Sequence, residues 1–240
     1  MIKTVIKSEL KNIFRDKMNV FFVFFPIILG GILYYIIPII EDSVPPGNPT
    51  PEIIIMIMIL MIGYIFGAIT AFTLLDDKDD GVLMSLKITP ISVRFYIILK
   101  LIISYIFGVL ATIILIYITN FLPNVNFIKI ILISLLSALS GPLITLIVCS
   151  LARNKVEGFV IMKLTGVILI LPTLVFFVFD WKEIFLLFSP ESWPARLIQM
   201  EMLPMIEVNF SFGVYFVLGV VFNMFFLLLL FKLYIKKANI

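Results

Sequence analysis

Six long runs of apolar residues constrain the fold of this chain more than any other feature. They lie near residues 20–40, 53–75, 95–119, 128–151, 160–179 and 213–234. Each run is roughly 20 residues long, the length that a helix needs to cross a hydrocarbon core of ~30 Å. Backbone groups in lipid must find their hydrogen bonds inside the protein. We therefore expect an all-α, polytopic membrane protein with six transmembrane helices.

The composition supports this class and excludes others. Of the 240 residues, 62% are hydrophobic and only 14% are charged, which does not suit a soluble or disordered protein. The single cysteine, Cys149, cannot form an internal disulfide. The chain has no histidine, which removes most zinc sites and histidine-based catalytic triads. We expect neither a catalytic residue nor a metal ligand in this chain.

The distribution of Lys and Arg predicts the orientation. With the N-terminus inside, only Lys129, Lys182 and Arg196 of the 18 basic residues fall in outer segments, which leaves 15 inside. Basic residues are enriched in cytoplasmic segments of membrane proteins. We therefore expect a multi-pass protein of the cytoplasmic membrane with both termini in the cytoplasm. The basic charge is explained by contact with anionic membrane lipid, and it implies no nucleic-acid partner.

Residues 1–19 have the pattern of an amphipathic helix. Lys3, Lys7 and Lys11 follow one another at four-residue spacing, while apolar residues form another face. The pattern predicts a cytoplasmic connecting helix on the inner leaflet, ahead of a six-span domain at 20–240. A charged anchor that only fixes the orientation of the first span is the alternative.

The inner loop, residues 76–94, joins spans two and three. Four aspartates and Gly81 precede a short apolar run that predicts a helix at 81–88, and its exposed apolar residues are Val82, Leu83, Leu86 and Ile88. Such a short helix is unstable alone, so it needs lipid headgroups or a groove on another protein. Thr89 and Pro90 are expected as the N-cap and first residue of the helix that continues into span three.

The aspartates of the inner loop do not match two known metal-dependent patterns. In an EF-hand starting at Asp76, positions three and twelve would be Lys78 and Lys87, which cannot bind calcium. A lipid-headgroup phosphotransferase would need further acids soon after Asp80, but the next acid is Glu157. A membrane-embedded enzyme is kept as a minor alternative.

The outer loop, residues 180–212, contains a second candidate helix. Pro194 can open it and Pro204 can close it, which predicts a helix at 195–203. Trp181 and Trp193 suit the outer membrane interface, where amphipathic rings are enriched. We expect a re-entrant or interfacial helix between spans five and six, with a simple capping loop as the alternative.

Small residues form a stripe along the second span. Gly63, Gly67 and Ala71 recur at four-residue spacing, so that another helix can approach closely. Packing within the chain and a dimer seam are both open. The spans carry almost no ionisable residues, which disfavours a proton-coupled antiporter.

Taken in order, these features resemble the type-2 permeases of ABC exporters, and among them the drug-export subgroup. The segment Asp80-Gly81-Val82-Leu83, with Leu86 and Thr89-Pro90, resembles the coupling helix of that family. Residues 153–158 resemble its second inner loop, and residues 189–197 resemble its outer re-entrant region. The resemblance covers nearly the whole chain.

The resemblance implies that the transport pathway and ATP binding belong to different subunits. Asp80 to Leu83, Leu86, Thr89 and Pro90 would dock in a groove of a separate ABC ATPase subunit that binds ATP and Mg. The chain lacks a G-x-x-x-x-G-K-[ST] motif, so we expect it to bind no cofactor and to be no enzyme itself. A second permease chain, identical or different, would complete the pathway for an amphipathic or drug-like compound. A non-transporting membrane scaffold or assembly subunit is the alternative.

Overall fold

The computed structural model describes residues 17–122, 125–167 and 170–238, and in these ranges the ordered elements are helices. They are α1 (Lys17–Ser43), α2 (Thr50–Asp79), α3 (Val82–Leu86), α4 (Val93–Thr119), α5 (Phe127–Ser137), α6 (Ser140–Leu151), α7 (Lys155–Gly166), α8 (Glu183–Leu186), α9 (Ser192–Met202) and α10 (Phe212–Lys237). A 3-10 helix at Leu171–Phe176 follows α7. The expected amphipathic helix at 1–19 lies outside the described residues except for residues 17–19, which belong to α1.

Among the described residues, six segments are long and apolar enough to cross a membrane, which confirms the expected all-α, six-span fold. They are Phe24–Ser43, Thr50–Asp79, Val93–Thr119, Phe127–Leu151, Lys155–Phe176 and Phe212–Lys237. We number them as spans one to six. Many apolar side chains on their outer surface are exposed in the protein alone, which is expected when lipid is the solvent.

Two helix starts differ from the sequence prediction. The helix of span three is capped by Ser92, whose hydroxyl accepts a hydrogen bond from the Phe95 amide at 3.2 Å. The predicted cap, Thr89, instead donates to the carbonyl of Leu86 at 2.8 Å, so that prediction is wrong. Span five begins at Lys155 rather than near residue 160, because the Asn154 side chain caps α7 by accepting from the Glu157 amide.

Span four is broken, although its sequence is one continuous apolar run. Helix α5 ends at Ser137 and α6 begins at Ser140, with a turn between them. Pro142 lies in the first turn of α6, where its missing N–H costs little. Span four is also the most enclosed of the six, with 72% of its apolar stretch buried. The break therefore lies deep inside the described fold.

Two clusters of buried apolar residues, the outer core and the inner core, lie on either side of the break in span four. The outer core includes Ile59, Leu115, Ile133, Trp193 and Tyr215. The inner core includes Leu75, Leu83, Ile97, Val148 and Tyr234. Spans two, three, four and six contribute to both cores, so that these spans connect the inner loop to the outer loop.

Candidate coupling site

A tight turn after span two positions the short helix of the inner loop. Asp80 ends α2, and Gly81 adopts a left-handed conformation with φ 72°, which glycine tolerates without steric cost. Helix α3 follows at once and runs from Val82 to Leu86, somewhat shorter than the predicted 81–88. The chain then passes Thr89 and Pro90, both exposed, before α4 begins.

The apolar residues of α3 and of the turn that follows it divide into a buried set and an exposed set. Leu83 is 7% exposed and packs into the inner core, while Leu86 is partly buried against the same core. The expectation that Leu83 is exposed is therefore wrong. Met84 and Ile88 are 76% and 91% exposed. We call the surface of Met84, Lys87 and Ile88 the docking face, because these side chains point away from the chain's own core.

The inner loop is held to its neighbours by two ion pairs. Asp77 accepts hydrogen bonds from Lys100 Nζ at 2.5 Å and from the Tyr96 hydroxyl at 2.9 Å, in a largely buried position. Asp76 pairs with Lys155 Nζ at 2.7 Å in a more exposed position. These carboxylates thus tie the end of span two to spans three and five. Among the described residues, no group of three or more acidic, cysteine or histidine side chains is arranged to hold a metal.

The small-residue stripe of span two is filled by span four of the same chain. A Cβ atom added at Gly67 would lie 2.5 Å from the carbonyl oxygen of Gly141, and one at Gly63 would lie 2.0 Å from Ser140 Oγ. Ala71 is fully buried, and its carbonyl oxygen lies 3.6 Å from the Cys149 sulfur. This face is therefore occupied in the single chain.

The outer loop contains a buried charge pair that the sequence did not reveal. Arg196 is fully buried, and its Nε donates to Glu183 at 2.7 Å. The other carboxylate oxygen of Glu183 accepts from Asn209 at 2.7 Å and from the Tyr215 hydroxyl at 2.8 Å. Arg196 also donates to the carbonyl oxygens of residues 175 and 178, and to Gln199. This network joins α8, α9, the 3-10 helix and span six.

Helix α9 lies inside the protein over most of its length. It runs from Ser192 to Met202, and residues 192–199 are buried. Trp193 is only 6% exposed and donates from its indole nitrogen to the Leu187 carbonyl at 2.9 Å. Trp193 is therefore not at the protein surface as expected, whereas Trp181 is 70% exposed. The position of α9 relative to the membrane stays a prediction.

Glu191 precedes α9 and points toward the break in span four. Its Oε2 atom is buried and has no hydrogen-bond partner among the described residues. Burial raises the pKa of this carboxyl to about 8, although a hydrogen bond with the Ser140 side chain acts in the opposite direction. Near it, Asn223 of span six donates to the Pro190 carbonyl at 3.1 Å. Glu191 is therefore neutral at neutral pH in the folded chain.

The comparisons with known proteins agree with this architecture. A family model described as Rv2686c-like fluoroquinolones export permease protein matches residues 9–231. The chain belongs to this family. Membership confirms the resemblance to an exporter permease that the motifs of the inner loop, the second inner loop and the outer loop indicated.

Two relatives of this permease carry the same description. They are the fluoroquinolones export permease proteins MT2760 and Rv2686c of Mycobacterium tuberculosis, from strains CDC 1551 / Oshkosh and ATCC 25618 / H37Rv. Each is 22% identical over 204 residues, which cover 79% of this chain and 78% of the relative. No solved structure matches the chain.

Proposed function

We propose that this permease is the transmembrane subunit of an ATP-driven exporter that moves amphipathic, drug-like compounds, fluoroquinolones among them, across the cytoplasmic membrane. A separate ABC ATPase subunit binds ATP and Mg and docks on α3. The observation that carries the proposal is the two-sided environment of α3. Leu83 fixes one side to the inner core, while Met84 on the other side and Ile88 in the turn after α3 are exposed.

Because α3 is anchored to the ends of the spans, a movement of α3 can be passed on to them. The Asp77–Lys100 pair joins the end of span two to span three, and Leu83 packs into the inner core, to which both spans contribute. A partner that moves the docking face therefore moves the ends of both spans together. Span two in turn packs along span four through Gly63 and Gly67, so the motion reaches the centre of the fold.

The docking face combines α3 with the turn that follows it, since Met84 belongs to the helix while Lys87 and Ile88 lie just beyond its end. Two apolar side chains four residues apart, Met84 and Ile88, lie beside the charged Lys87. An isolated helix of five residues is unstable in water, and a groove on a partner stabilises it by covering its apolar side. Phosphate-binding loops are absent from the sequence, so the partner supplies ATP hydrolysis.

A second permease chain completes the pathway in this proposal. The centre of the described fold is occupied by span four, which packs closely against span two at Gly63 and Gly67, so a drug path along that axis would have to separate these two spans. A pathway between two chains, identical or different, solves this problem. The exposed apolar surface of span one, including Tyr34 and Tyr35, is available for such contact.

Site-specific photocross-linking tests the ATPase contact. A photoreactive amino acid is placed at Ile88, and for comparison at Met205, which is 96% exposed but belongs to the outer loop. Illumination of native membranes should give an adduct from position 88, identified by mass spectrometry as a protein with a P-loop. Position 205 should not give this adduct. An adduct from position 88 with a membrane protein that lacks a P-loop would instead favour the scaffold alternative.

Drug accumulation tests the substrate class. The permease and the ATPase found by cross-linking are expressed together in a drug-sensitive host, and the intracellular level of a fluoroquinolone is measured by its fluorescence. We expect a lower level than in cells that express either protein alone. Equal levels in all three strains would contradict export of this class of compound.

A further inference from the structure

An apolar groove runs along the side of the permease between spans three, four and six. It has a volume of about 630 Å³, and its lining includes Ile98, Ile102, Tyr105, Pro142, Val220 and Leu228. The hydroxyl of Tyr105 is already used, since it donates to the carbonyl of Leu135 at 3.1 Å. Several lining residues are exposed, with Ile102 at 48% and Leu228 at 58%. The groove is therefore open to the surrounding lipid.

A cluster of basic side chains lies at one end of this groove. Phe231 lines both the groove and a second cavity, of about 360 Å³, whose lining also includes Arg94, Lys232 and Lys236. Arg94 belongs to the first turn of α4, and the two lysines belong to the last turns of α10. Within the described part of the chain, no acidic residue lines either cavity. The basic residues mark the end that the Lys and Arg distribution predicts to be cytoplasmic.

The groove is longer than the apolar part of one leaflet of a bilayer. Its lining on α10 extends from Phe216 to Phe231. At ~1.5 Å per residue this is about 22 Å, roughly three quarters of a ~30 Å hydrocarbon core. A lipid acyl chain that starts at Phe231 can therefore lie within the groove.

We propose that this groove and its basic end form a binding site for one anionic phospholipid of the cytoplasmic leaflet. An acyl chain lies between α4 and α10, and the phosphate group contacts Lys232 and Lys236. The charge at the cavity and the apolar groove are complementary to the two parts of such a lipid, and basic pockets at helix ends are known to favour anionic headgroups. A zwitterionic lipid offers the same chain but loses the advantage of charge.

The proposed lipid site lies between spans three, four and six, so a bound lipid can affect the movement of these spans. Ile98 and Ile102 are on span three, which is joined to the inner loop by Lys100. Span six contributes the opposite wall and also contacts the broken span four. A bound lipid fills the space between these spans, so it stabilises their present separation.

Lipid binding to the purified full-length permease tests the charged part of the site. Native mass spectrometry is used to titrate dioleoylphosphatidylglycerol and dioleoylphosphatidylcholine onto the wild type. We expect the anionic lipid to bind about tenfold more tightly, because each basic side chain adds electrostatic attraction. The double variant K232Q/K236Q should lose this preference. The control R153Q/K163Q removes two charges from the same predicted face, and neither residue lines either cavity, so it should keep the preference.

A second pair of variants tests the groove itself. Ile102→Trp fills the groove and should weaken binding of both lipids, whereas Ile114→Trp, a similarly exposed position of α4 outside the groove, should not. Equal affinity for the two lipids, or equal losses in the two double variants, would overturn the proposal. If Ile102→Trp changes the fraction of dimer but not lipid binding, the groove is an interface between chains and the proposal is wrong.

Discussion

The outer and inner loops both connect the ends of spans, but they differ in how their charged and apolar side chains are buried. In the outer loop the Arg196–Glu183 pair is enclosed, with side-chain exposures of 0% and 2%. In the inner loop the Lys155–Asp76 pair is nearly half exposed, and Met84 and Ile88 have apolar side chains that nothing in the described chain covers. The buried polar network around Arg196 and Glu183 is therefore satisfied within one chain, although other outer-loop residues such as Trp181 and Met205 are exposed. The inner loop has the properties of a surface that a partner completes.

The largest effect is expected from breaking the outer charge pair. Arg196→Met leaves Glu183 buried without its cation, and loss of one partner of a buried pair costs about 3–5 kcal/mol. The melting temperature of the purified permease in detergent should fall strongly. Lys129→Met is the control, because Lys129 pairs with Glu201 but is 43% exposed. If the melting temperature falls equally in both variants, the Arg196–Glu183 pair does not stabilise the outer loop as proposed.

A smaller, pH-dependent effect is expected at Glu191. Its pKa is raised from an ordinary value of 4.5 to about 8 in the folded chain, because burial favours the neutral form. The folded state thus holds a proton that the unfolded state releases, and stability present at low pH is lost as the pH rises through about 8. From about pH 5 to about pH 8 the loss is on the order of 3 kcal/mol.

Melting curves across this pH range check the assignment. Glu191→Gln should remove most of the decline in stability between acidic and alkaline pH. Glu207→Gln, an exposed carboxyl in the same loop, should keep the wild-type decline. A wild-type profile in Glu191→Gln would mean that Glu191 is ionised in the folded chain.

The smallest effect on stability is expected in the inner loop. Lys155→Met breaks the pair with Asp76, whose partners are 45% and 42% exposed. Pairs in such positions contribute about 1 kcal/mol or less, since water screens them. The melting temperature should stay close to that of the wild type. A loss as large as that of Arg196→Met would remove the contrast between the two loops.

The sequence predicted the features that depend on local pattern. Apolar length and the distribution of Lys and Arg were sufficient for the number of spans, and Gly81 marked the start of the inner-loop helix. Helix starts were less certain, because Thr89 and Ser92 are both able to cap and only Ser92 does so. The start of span five could have been found from Asn154 and Glu157, whose spacing is that of a capping box.

Features that depend on tertiary contacts could not be predicted in this way. The pairing of Arg196 with Glu183 joins residues that periodicity does not relate, and Arg196 was counted only as an outer positive charge. The break in span four has a local signal in Ser140 and the Gly141-Pro142 pair, but the sequence prediction treated the apolar run as one helix. The burial of Leu83 follows from the way α3 folds back onto span two, which the sequence does not specify.

This last point changes which residues test the coupling. Leu83→Asp would place a charge in the inner core and destabilise the loop itself, so a loss of transport would have two explanations. Met84 and Ile88 are exposed, so charges there leave the fold intact. Substitution of these two residues therefore separates docking from folding.

ATP-dependent efflux by the double variant M84D/I88D is the most direct test of the account. The permease and its ATPase are reconstituted in liposomes, and export of a fluorescent fluoroquinolone is measured beside the melting temperature. Efflux should fall to about a tenth or less, as expected when apolar anchors of an interface are lost, while the melting temperature is unchanged. Met205→Asp should keep both. Full efflux by M84D/I88D would contradict the assignment of α3 as the coupling helix.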